Sequence, residues 1–367
     1  MLLFKGLRDQ LLIPLQSVCG IVEKRHTLPI LSNVLMEKVG SELTLLATDI
    51  EIQITSHTST VNGEKFATTV GARKLQDILR SLPESSEVSL TLDDKRLQLK
   101  AGKSRFNLQT LSAEDFPRMS MVDGQPTRLV ITQKQMKRLL ALVQYSMAQQ
   151  DIRYYLNGLL LVAKGNELRV VATDGHRLAY AAETLPTTPA PIEVILPRKT
   201  ILELSRQLTD SDDPLEIVLT PNQACFNFNN IELVSKLIDG KFPDYERVIP
   251  KHHEKIINLS RQQFLHSLQR VAILTNEKFR GVRLVLGAGS LKIISNNAEQ
   301  EEAQEEIEID YTADALDVGF NVTYLLDVLN NVTQENIELH LADANSSALF
   351  VLPGNDTFKY VVMPMRI

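Results

Sequence analysis

Three short stretches of the sequence decide the fold: Leu45-Leu46-Ala47-Thr48-Asp49, Val170-Val171-Ala172-Thr173-Asp174 and Ile293-Ile294-Ser295-Asn296-Asn297. Each is an apolar run typical of a strand, and each ends in polar residues typical of a turn. The turn positions Asp49, Asp174 and Asn297 are separated by 125 and 123 residues. So regular a spacing indicates internal repetition. The period is too long for a solenoid, so each copy has the size of a domain.

An amphipathic helix is predicted before each stretch, because apolar residues recur there at close to 3.6-residue spacing. The apolar positions are Leu7, Leu11, Leu15, Val18 and Val22 in the first copy, Met136, Leu139, Leu140, Val143 and Met147 in the second, and Phe264, Leu268, Val271 and Ile273 in the third. An apolar run follows each helix, at residues 31–36, 158–162 and 282–286. The same two elements therefore precede the strand and turn in all three copies.

A second helix is predicted after each turn, beginning near Arg73, Arg198 and Val322, which are 125 and 124 residues apart. Each helix is followed by a segment in which apolar and polar residues alternate, at 88–92, 215–219 and 337–341. Alternation with a period of two marks a half-buried strand. The dipeptides Phe116-Pro117, Phe242-Pro243 and Met363-Pro364 close the three copies.

These repeats predict three domains, at residues 1–123, 124–252 and 253–367, joined by linkers near 120–127 and 249–255. Each domain contains two helices among seven or eight short strands. Most strands follow one another without a helical crossover, which disfavours a parallel sheet. The predicted fold class is therefore α+β, with the two helices of each domain packed on antiparallel sheets.

The composition limits the class of protein. The chain has 367 residues, of which 44% are hydrophobic, enough for several cores. Its two cysteines, Cys19 and Cys225, are too few for a thiolate metal cluster and are expected to be buried and inert. No apolar stretch approaches the ~18 residues of a membrane span, and charges come too early at the N-terminus for a signal peptide. A cytoplasmic protein with no membrane partner is expected.

The charge is unevenly distributed. The net charge of −6 argues, as an average, against a nucleic-acid partner. Windows drawn around the six predicted helices, however, carry about +10, which leaves about −16 on the rest of the chain. One surface that faces a polyanion would explain this distribution. Aromatic residues are 5% of the chain and few lie on these helices, so a duplex held by its phosphates is favoured over a stacked single strand.

Three motifs resemble binding sites for phosphate or metal. Gly102-Lys103-Ser104 resembles the end of a phosphate-binding loop. That motif needs a glycine at position 97, which is Leu97 here, so a turn between strands is favoured. His252-His253 has no third ligand at metal-site spacing. The acidic run at 299–306 is more typical of a solvated face, or of a partner for basic residues, than of a metal site. Neither a metal nor another cofactor is predicted.

Asp174-Gly175-His176-Arg177 is the one cluster that could be catalytic, since Asp and His can act as acid and base. No Ser or Cys nucleophile motif accompanies it. Asp174 also occupies the turn position that recurs in every copy, so a structural role is favoured for it. No catalytic residue is assigned.

Over essentially its whole length the chain resembles the beta subunits of bacterial DNA polymerase III, a family of sliding clamps. The motifs that carry the resemblance are Thr27-Leu28-Pro29-Ile30-Leu31, Tyr154-Tyr155-Leu156-Asn157-Gly158, Ala172-Thr173-Asp174-Gly175-His176-Arg177-Leu178, Asp239-Gly240-Lys241-Phe242-Pro243-Asp244-Tyr245, Asn276-Glu277-Lys278-Phe279-Arg280-Gly281-Val282-Arg283-Leu284 and Tyr360-Val361-Val362-Met363-Pro364-Met365-Arg366-Ile367.

The resemblance implies a head-to-tail homodimer in which six clamp domains form a ring, with helices lining the hole and sheets outside. It implies a non-catalytic processivity subunit that encircles duplex DNA without reading its sequence. The implied protein partners are the replicative polymerase catalytic subunit, the clamp loader, and other polymerases and repair proteins that carry short clamp-binding peptides.

Three sets of site residues follow from the resemblance and from the basic helices. Candidate DNA contacts are Arg25, Arg73, Arg80, Gln150, Tyr154, Tyr155, Arg198 and Lys199. Candidate dimer contacts are Lys74, Lys103, Arg105, Phe106 and Leu108 on one side and Ile273, Leu274, Glu299, Glu301, Glu302 and Glu305 on the other. Candidate residues of a peptide-binding cleft are Leu156, Thr173, Gly175, His176, Arg177, Leu178, Pro243, Arg247, Val248, Asn321, Tyr324, Ser347, Val361, Met363, Pro364, Met365 and Arg366.

Two alternatives stay open at this point. A hydrolase would use Asp174, His176 and Arg177, and its turnover would be lost in His176→Ala. A repeat scaffold without a DNA role would show no salt-dependent retention on DNA. The repetition itself disfavours the hydrolase, because the third copy has Asn297-Ala298-Glu299 where the second has Asp174-Gly175-His176.

Overall fold

The fold is described from a computed structural model, which covers residues 1–23, 28–59, 65–93, 95–120, 125–251 and 253–367. The elements of the first repeat are β1 (Leu2–Leu7), α1 (Arg8–Cys19), β2 (Asn33–Val39), β3 (Glu42–Thr48), β4 (Ile52–Ser59), β5 (Phe66–Gly71), α2 (Ala72–Ser81), β6 (Glu87–Asp93), β7 (Arg96–Ala101) and β8 (Ser104–Leu111). Those of the second are β9 (Thr127–Thr132), α3 (Gln133–Val143), β10 (Gly158–Lys164), β11 (Glu167–Thr173), β12 (Arg177–Thr184), β13 (Ile192–Pro197), α4 (Arg198–Gln207), β14 (Pro214–Leu219), β15 (Gln223–Phe228) and β16 (Ile231–Lys236).

A one-turn helix, α5 (Tyr245–Val248), precedes the third repeat. The elements of that repeat are β17 (Lys255–Ser260), α6 (Arg261–Val271), β18 (Gly281–Gly287), β19 (Ser290–Asn296), β20 (Glu302–Glu308), β21 (Leu316–Asn321), α7 (Val322–Asn331), β22 (Asn336–Leu341), β23 (Ala348–Leu352) and β24 (Asn355–Val362). The order of helices and strands is the same in the three repeats, and every pairing between these strands is antiparallel. The predicted α+β class and the threefold repetition are confirmed.

The strands of each repeat form two groups of four. In the first repeat the groups are β1-β6-β7-β8 and β5-β2-β3-β4, in the second β9-β14-β15-β16 and β13-β10-β11-β12, and in the third β17-β22-β23-β24 and β21-β18-β19-β20. Groups from successive repeats join into longer sheets, because β4 pairs with β16 and β12 pairs with β24. Each junction therefore joins the last strand of one group to the last strand of a group in the next repeat.

The two long helices of each repeat bury an apolar side, as their spacing predicts. Leu11, Leu15 and Val18 of α1 are fully buried, and so are Phe264 and Leu268 of α6. The predicted helices were too long at their ends. Leu7 closes β1 and is 53% exposed, whereas Val22 and Met147 are buried beyond their helices. Ile273 lies in a 3₁₀ turn after α6 and is 76% exposed.

The shorter helices change the charge distribution. Within its observed bounds α1 carries one basic and one acidic residue, Arg8 and Asp9, and is neutral rather than positive. The six long helices together carry +8 instead of the +10 of the wider windows. The basic residues are concentrated on α2, α3, α4 and α6, so the excess of positive charge on the helices persists.

The repeated turn after the third strand of each copy has a common chemical basis. Asp49 Oδ1 accepts the N–H groups of Glu51 and Ile52, at 3.0 and 2.8 Å. Asn297 Oδ1 accepts those of Glu299 and Glu301, at 3.1 and 2.9 Å. Asp and Asn favour such turns because the side-chain oxygen replaces a backbone acceptor. The residue type at this position is thus explained by the turn itself.

By its contacts the chain divides into two compact units. The first comprises Met1–Lys134 and Leu202–Leu237, and the second comprises Gln135–Ile201 and Ile238–Ile367. The predicted domain boundaries at residues 123 and 252 fall in segments outside the described residues. In the part of the chain that the structure describes, no helix is long and apolar enough to cross a membrane.

Candidate functional site

The residues predicted for the peptide-binding cleft all lie in the second unit, around the strand pair β12–β24. In that pair Leu178 is opposite Val361. After β24 the chain continues as residues 363–367, the tail. The N–H of Met363 donates to the His176 carbonyl, and that of Met365 donates to the Gly319 carbonyl, both at 2.9 Å. The tail thereby connects the turn after β11 to the end of β21, beside Asn321.

The predicted cleft residues separate into a buried floor and an accessible rim. Leu156, Leu178 and Val361 are at most 2% exposed, and the last two belong to an apolar cluster with Phe242 and Tyr245. Accessible positions are Gly175, His176, Pro243, Arg247, Val248, Met363 and Arg366. Half-buried positions are Asn321, Tyr324, Ser347, Pro364 and Met365. An apolar floor beneath a polar rim is the usual composition of a site for a peptide or small molecule.

Arg177 is the least exposed charged side chain of the cleft, at 9%. Its guanidinium pairs with Asp174 at 3.1 Å and with Asp327 at 2.5 Å, and it donates to the Tyr145 carbonyl at 2.6 Å. The ring of Tyr324 stacks on the guanidinium, with 4.5 Å between Cζ and the ring centroid. A buried charge is tolerated when it is paired and hydrogen-bonded on several sides, as this one is.

The electrostatics of this network keep Arg177 charged. Burial alone would lower the pKa of Arg177, but Tyr360, Asp327 and Asp174 together raise it above its ordinary value. Burial also raises the pKa of Tyr360, to above its usual range. Because neither group titrates near neutral pH, the network is a fixed support beneath the cleft rather than an acid–base pair.

The cluster that could have been catalytic is accounted for by the turn. Asp174 Oδ1 accepts the N–H groups of His176 and Arg177, at 2.9 and 3.1 Å, as Asp49 and Asn297 do in the other copies. Its second oxygen, Oδ2, accepts from the Arg177 guanidinium. The structural role predicted for Asp174 is confirmed by these contacts.

Arg153 is a residue of this region that the sequence did not single out. Its guanidinium makes two hydrogen bonds to Asp151, at 3.0 and 2.9 Å, and one to the Asp174 carbonyl at 3.3 Å. A methyl group on Gly175, whose φ is +88°, would lie 3.0 Å from two guanidinium nitrogens of Arg153. Glycine is thus favoured at 175 by its backbone conformation, and a side chain there would also displace the end of the Arg153 side chain. Gly175 and Arg153 are far apart in the sequence, so no local motif reveals their contact.

The candidate DNA contacts on the helices differ in their exposure and in their contacts with the backbone. Arg80 and Lys199 are exposed. The Arg73 guanidinium donates twice to the Val22 carbonyl, at 3.1 and 2.6 Å. Arg198 donates to the Met147 carbonyl at 3.2 Å, and burial followed by the charge of Arg177 lowers its pKa. The guanidinium groups of Arg73 and Arg198 are therefore partly committed to the chain's own backbone.

The remaining candidate DNA contacts lie on the segment before β10. Gln150 is exposed and has a φ of +55°, and Tyr154 is 58% exposed. Tyr155 is half-buried and packs against the apolar cluster beneath the cleft. Arg25 lies outside the described residues.

The first-repeat residues predicted for the dimer lie on α2, on the turn before β8 and on β8 itself. Phe106 and Leu108 are half-buried, whereas Lys103 and Arg105 beside them are exposed. On the edge that faces away from β7, strand β8 pairs with β5 through Thr110 and Leu111, at the C-terminal end of β8. The rest of this edge of β8 is open, with no described strand paired to it. A cavity of about 580 Å³ adjoins this edge and is lined by Leu108, Leu111 and Lys74 among others.

The third-repeat residues of the predicted dimer lie on the 3₁₀ turn (Ala272–Leu274), on the turn before β20 and on β20 itself. Strand β20 pairs with β19 on one side and ends its sheet on the other. Glu299, Glu301 and Glu302 are exposed. Glu305 is already engaged within the chain, since Arg270 donates to both carboxylate oxygens at 2.7 and 2.6 Å, and these hydrogen bonds lower its pKa.

The structure is that of a three-domain binding protein of the sliding-clamp class. It has three repeated α+β domains, two open sheet edges, and an apolar cleft supported by a fixed ion network. Models of the DNA polymerase III beta subunit match the chain in three parts: the N-terminal domain over residues 2–120, the central domain over 130–244 and the C-terminal domain over 246–366. The chain belongs to the bacterial DNA polymerase III beta subunit family. It is a DNA sliding clamp and not an enzyme.

Individual relatives agree with this assignment. The chain is 49% identical over 362 residues to the beta sliding clamp of Pseudomonas putida and 43% identical over 361 residues to that of Escherichia coli K12, with 98% of each chain covered in both cases. A crystal structure of the DNA polymerase sliding clamp from Pseudomonas aeruginosa superposes with a TM-score of 0.95 at 46% identity and full coverage of both chains. The clamp of Caulobacter crescentus, solved with polyethylene glycol bound to its putative beta-motif tethering region, superposes with a TM-score of 0.95 at 38% identity, covering 100% of this chain and 99% of that one.

Proposed function

We propose that two copies of this chain close head to tail into a cytoplasmic ring of six domains around duplex DNA, and that the cleft of the second unit tethers partner proteins. Those partners are the replicative polymerase catalytic subunit, the clamp loader, and other polymerases and repair proteins that carry short binding peptides. The observation that carries the ring is the strand pairing between repeats.

Two junctions within the chain follow one rule. The last strand of one group in repeat n pairs antiparallel with the last strand of a group in repeat n+1, as β4 does with β16 and β12 with β24. By the same rule β20 of the third repeat requires β8 of a first repeat. Among the strands that the structure describes, β20 and β8 are not paired with each other. An open strand edge favours pairing with another chain, and a heterologous contact that repeats twice with closure gives a dimeric ring.

The same rule predicts the register of the junction between chains. Leu233 is opposite Ile54 at the first junction and Tyr360 is opposite Ala179 at the second. In the second repeat, Ile238 pairs with a residue of β13 and lies five residues after Leu233. In the first repeat, Leu111 pairs with a residue of β5 and lies five residues after Phe106. Phe106 is therefore the residue of β8 that corresponds to Leu233. The corresponding residue of β20 is Ala303.

With Phe106 opposite Ala303 of the second copy, the charges of the two edges become complementary. Arg105 falls opposite Gln304 and diagonal to Glu302 and Glu306, and Lys103 falls near Glu306. Opposite charges on facing and diagonal positions stabilise a strand pair. The exposed Ile273 of the second copy supplies an apolar group for the cavity beside β8, and burial of that group contributes more than the exposed ion pairs.

Disulfide cross-linking tests this register. The pair Asn107→Cys with Glu302→Cys places two thiols directly opposite each other, within the Cα separation that a disulfide allows. The control pair Asn107→Cys with Ala303→Cys shifts one residue to the other face. Oxidation is expected to give a covalent dimer with the first pair and little with the second. Equal cross-linking of both pairs, or of neither, would contradict the proposed junction.

Tethering depends on the cleft, and its proposed contacts are of two kinds. The apolar side chains of Met363 and Met365 adapt to the side chains of a bound peptide. Arg366 and Arg247 on the rim are proposed to bind its polar groups; Arg247 already pairs with Asp244 through Nε, at 2.9 Å, and its terminal nitrogens are proposed for the second contact. Deleting residues 363–367 is expected to abolish binding of the polymerase catalytic subunit while the dimer persists. If binding survives the deletion, the cleft has been assigned wrongly.

The proposed contact with DNA is electrostatic. Basic residues on α2, α3, α4 and α6 attract phosphates without reading bases, and weak contacts spread over a surface allow the ring to slide. Lys199→Ala together with Arg80→Ala is expected to lower retention on duplex DNA at moderate salt and to reduce the salt dependence. Unchanged retention at every salt concentration would exclude these two residues from the contact.

A further inference from the structure

We propose that Gly281 and Gly319 form a slot for the side chain of Ile367, and that this slot holds the tail in the conformation that binds partner peptides. The inference rests on the proposed tethering function and extends it to three residues that no part of the cleft assignment includes. Gly281 and Gly319 belong to strands β18 and β21, and Ile367 is the last residue of the sequence.

The two glycines share one face of the β18–β21 pair. Gly281 is opposite Asn321, and Gly319 is opposite Arg283. Since alternate residues of a strand point the same way, both glycines lie on the face that carries Asn321, and Val282 and Phe320 point to the buried face. The absence of two side chains on neighbouring positions leaves a depression on this face.

Ile367 fills that depression. A methyl group on Gly319 would lie 2.8 Å from Cδ1 and 2.9 Å from Cγ1 of Ile367, and 2.5 Å from the carbonyl oxygen of Met365. A methyl group on Gly281 would lie 3.0 Å from Cδ1 of Ile367. Contacts this short leave no room for a Cβ at Gly319 unless the tail moves. At Gly281 the flexible end of one side chain must yield by a few tenths of an ångström.

The slot matters because the tail has few other attachments. Its described backbone anchors are the hydrogen bonds of Met363 and Met365, and the intervening Pro364 has no N–H to donate. Ile367 provides a third anchor beyond Met365 and Arg366. Ordering each residue costs conformational entropy, so loss of one anchor lowers the population of the ordered tail. The apparent affinity for a partner falls in proportion to that population.

Three glycine substitutions separate this role from a general effect on the strands. Gly287 lies in the same strand as Gly281, but a methyl group there would have its nearest contact at 3.9 Å, with the Ser290 hydroxyl. Gly287→Ala is therefore the matched control. Binding to the immobilised polymerase catalytic subunit is measured by surface plasmon resonance. The dissociation constant is expected to rise about tenfold for Gly319→Ala and about threefold for Gly281→Ala, and to stay within about twofold for Gly287→Ala.

A variant that empties the slot tests the same role without the steric conflict that could cause the glycine variants to misfold. Ile367→Ala adds no steric conflict and is expected to weaken binding about fivefold, while the dimer constant is unchanged. In the Ile367→Ala background Gly281→Ala is expected to have no further effect, because residues that act through one contact are not additive. Failure of the unaltered chain to bind would overturn the proposed tethering. Normal binding by Gly319→Ala and Ile367→Ala, with the unaltered chain binding, would overturn the slot alone.

Discussion

Removing the Arg177 side chain is expected to destabilise the second unit more than removing any exposed arginine. Arg177→Ala leaves the Asp174 and Asp327 carboxylates without their shared cation and removes the 2.6 Å hydrogen bond to the Tyr145 carbonyl. The side chain is 9% exposed, so water replaces these contacts poorly. Breaking a buried pair by deleting one partner costs about 3–5 kcal/mol.

The assay is native-state hydrogen exchange, which measures the free energy of local opening. Amides of β12 and α7 are expected to lose about 3–5 kcal/mol of opening free energy in Arg177→Ala. Arg153→Ala, which removes an exposed arginine from the neighbouring turn, is expected to leave them unchanged. Adding Asp327→Asn to Arg177→Ala should recover part of the loss, since it removes one unpaired charge. A loss below about 1 kcal/mol in Arg177→Ala would refute the argument that the network supports the cleft.

Three further outcomes are expected. Burial raises the pKa of both Cys19 and Cys225 to about 12, so neither thiol should react with a thiol reagent at pH 8 until the chain is unfolded, when both should. Hydrogen bonds from Arg153 lower the pKa of Asp151 to about 2, so its carboxylate should titrate near pH 2 by NMR. In Arg153→Ala this pKa should return toward 3.8. The contribution of the pair to the free energy of unfolding is complete above pH 3.8 and is lost as the pH falls through 2. Charge reversal at Lys74 and Arg105 together should weaken the dimer most at low ionic strength, and an unchanged dimer constant across ionic strength would contradict the interface.

The architecture could be predicted from the sequence because repetition supplies long-range information. The same strand and turn occur three times at nearly equal intervals, so each occurrence supports the assignment of the other two. Apolar patterns with periods of two and of 3.6 residues then predict the strands and helices that lie between these turns. The ends of the helices were harder. Leu7 and Ile273 continue the apolar spacing of α1 and α6 but belong to a strand and a 3₁₀ turn, because apolar spacing does not mark where a helix begins or ends. The start of α1 is marked by a cap, in which the Leu7 N–H donates to Gln10 Oε1 at 3.0 Å.

The site was predicted less completely, for a physical reason. Arg177 stands beside Asp174 and His176 in sequence, which suggested catalysis, but it also pairs with Asp327, 150 residues away. The contact of Arg153 with Gly175 and the slot of Gly281 and Gly319 likewise join distant positions. No local pattern encodes such pairs, and a glycine in a strand carries no sign of what approaches it.

Retention on circular DNA tests the central claim most directly. The chain is loaded by its clamp loader onto a nicked circular plasmid, the complex is isolated by gel filtration, and half is cut once with a restriction enzyme. A ring that encircles duplex DNA and holds it by weak phosphate contacts is expected to stay on the circle through a moderate salt wash and to leave the linear molecule through its ends. Equal retention on circular and linear DNA would contradict encirclement.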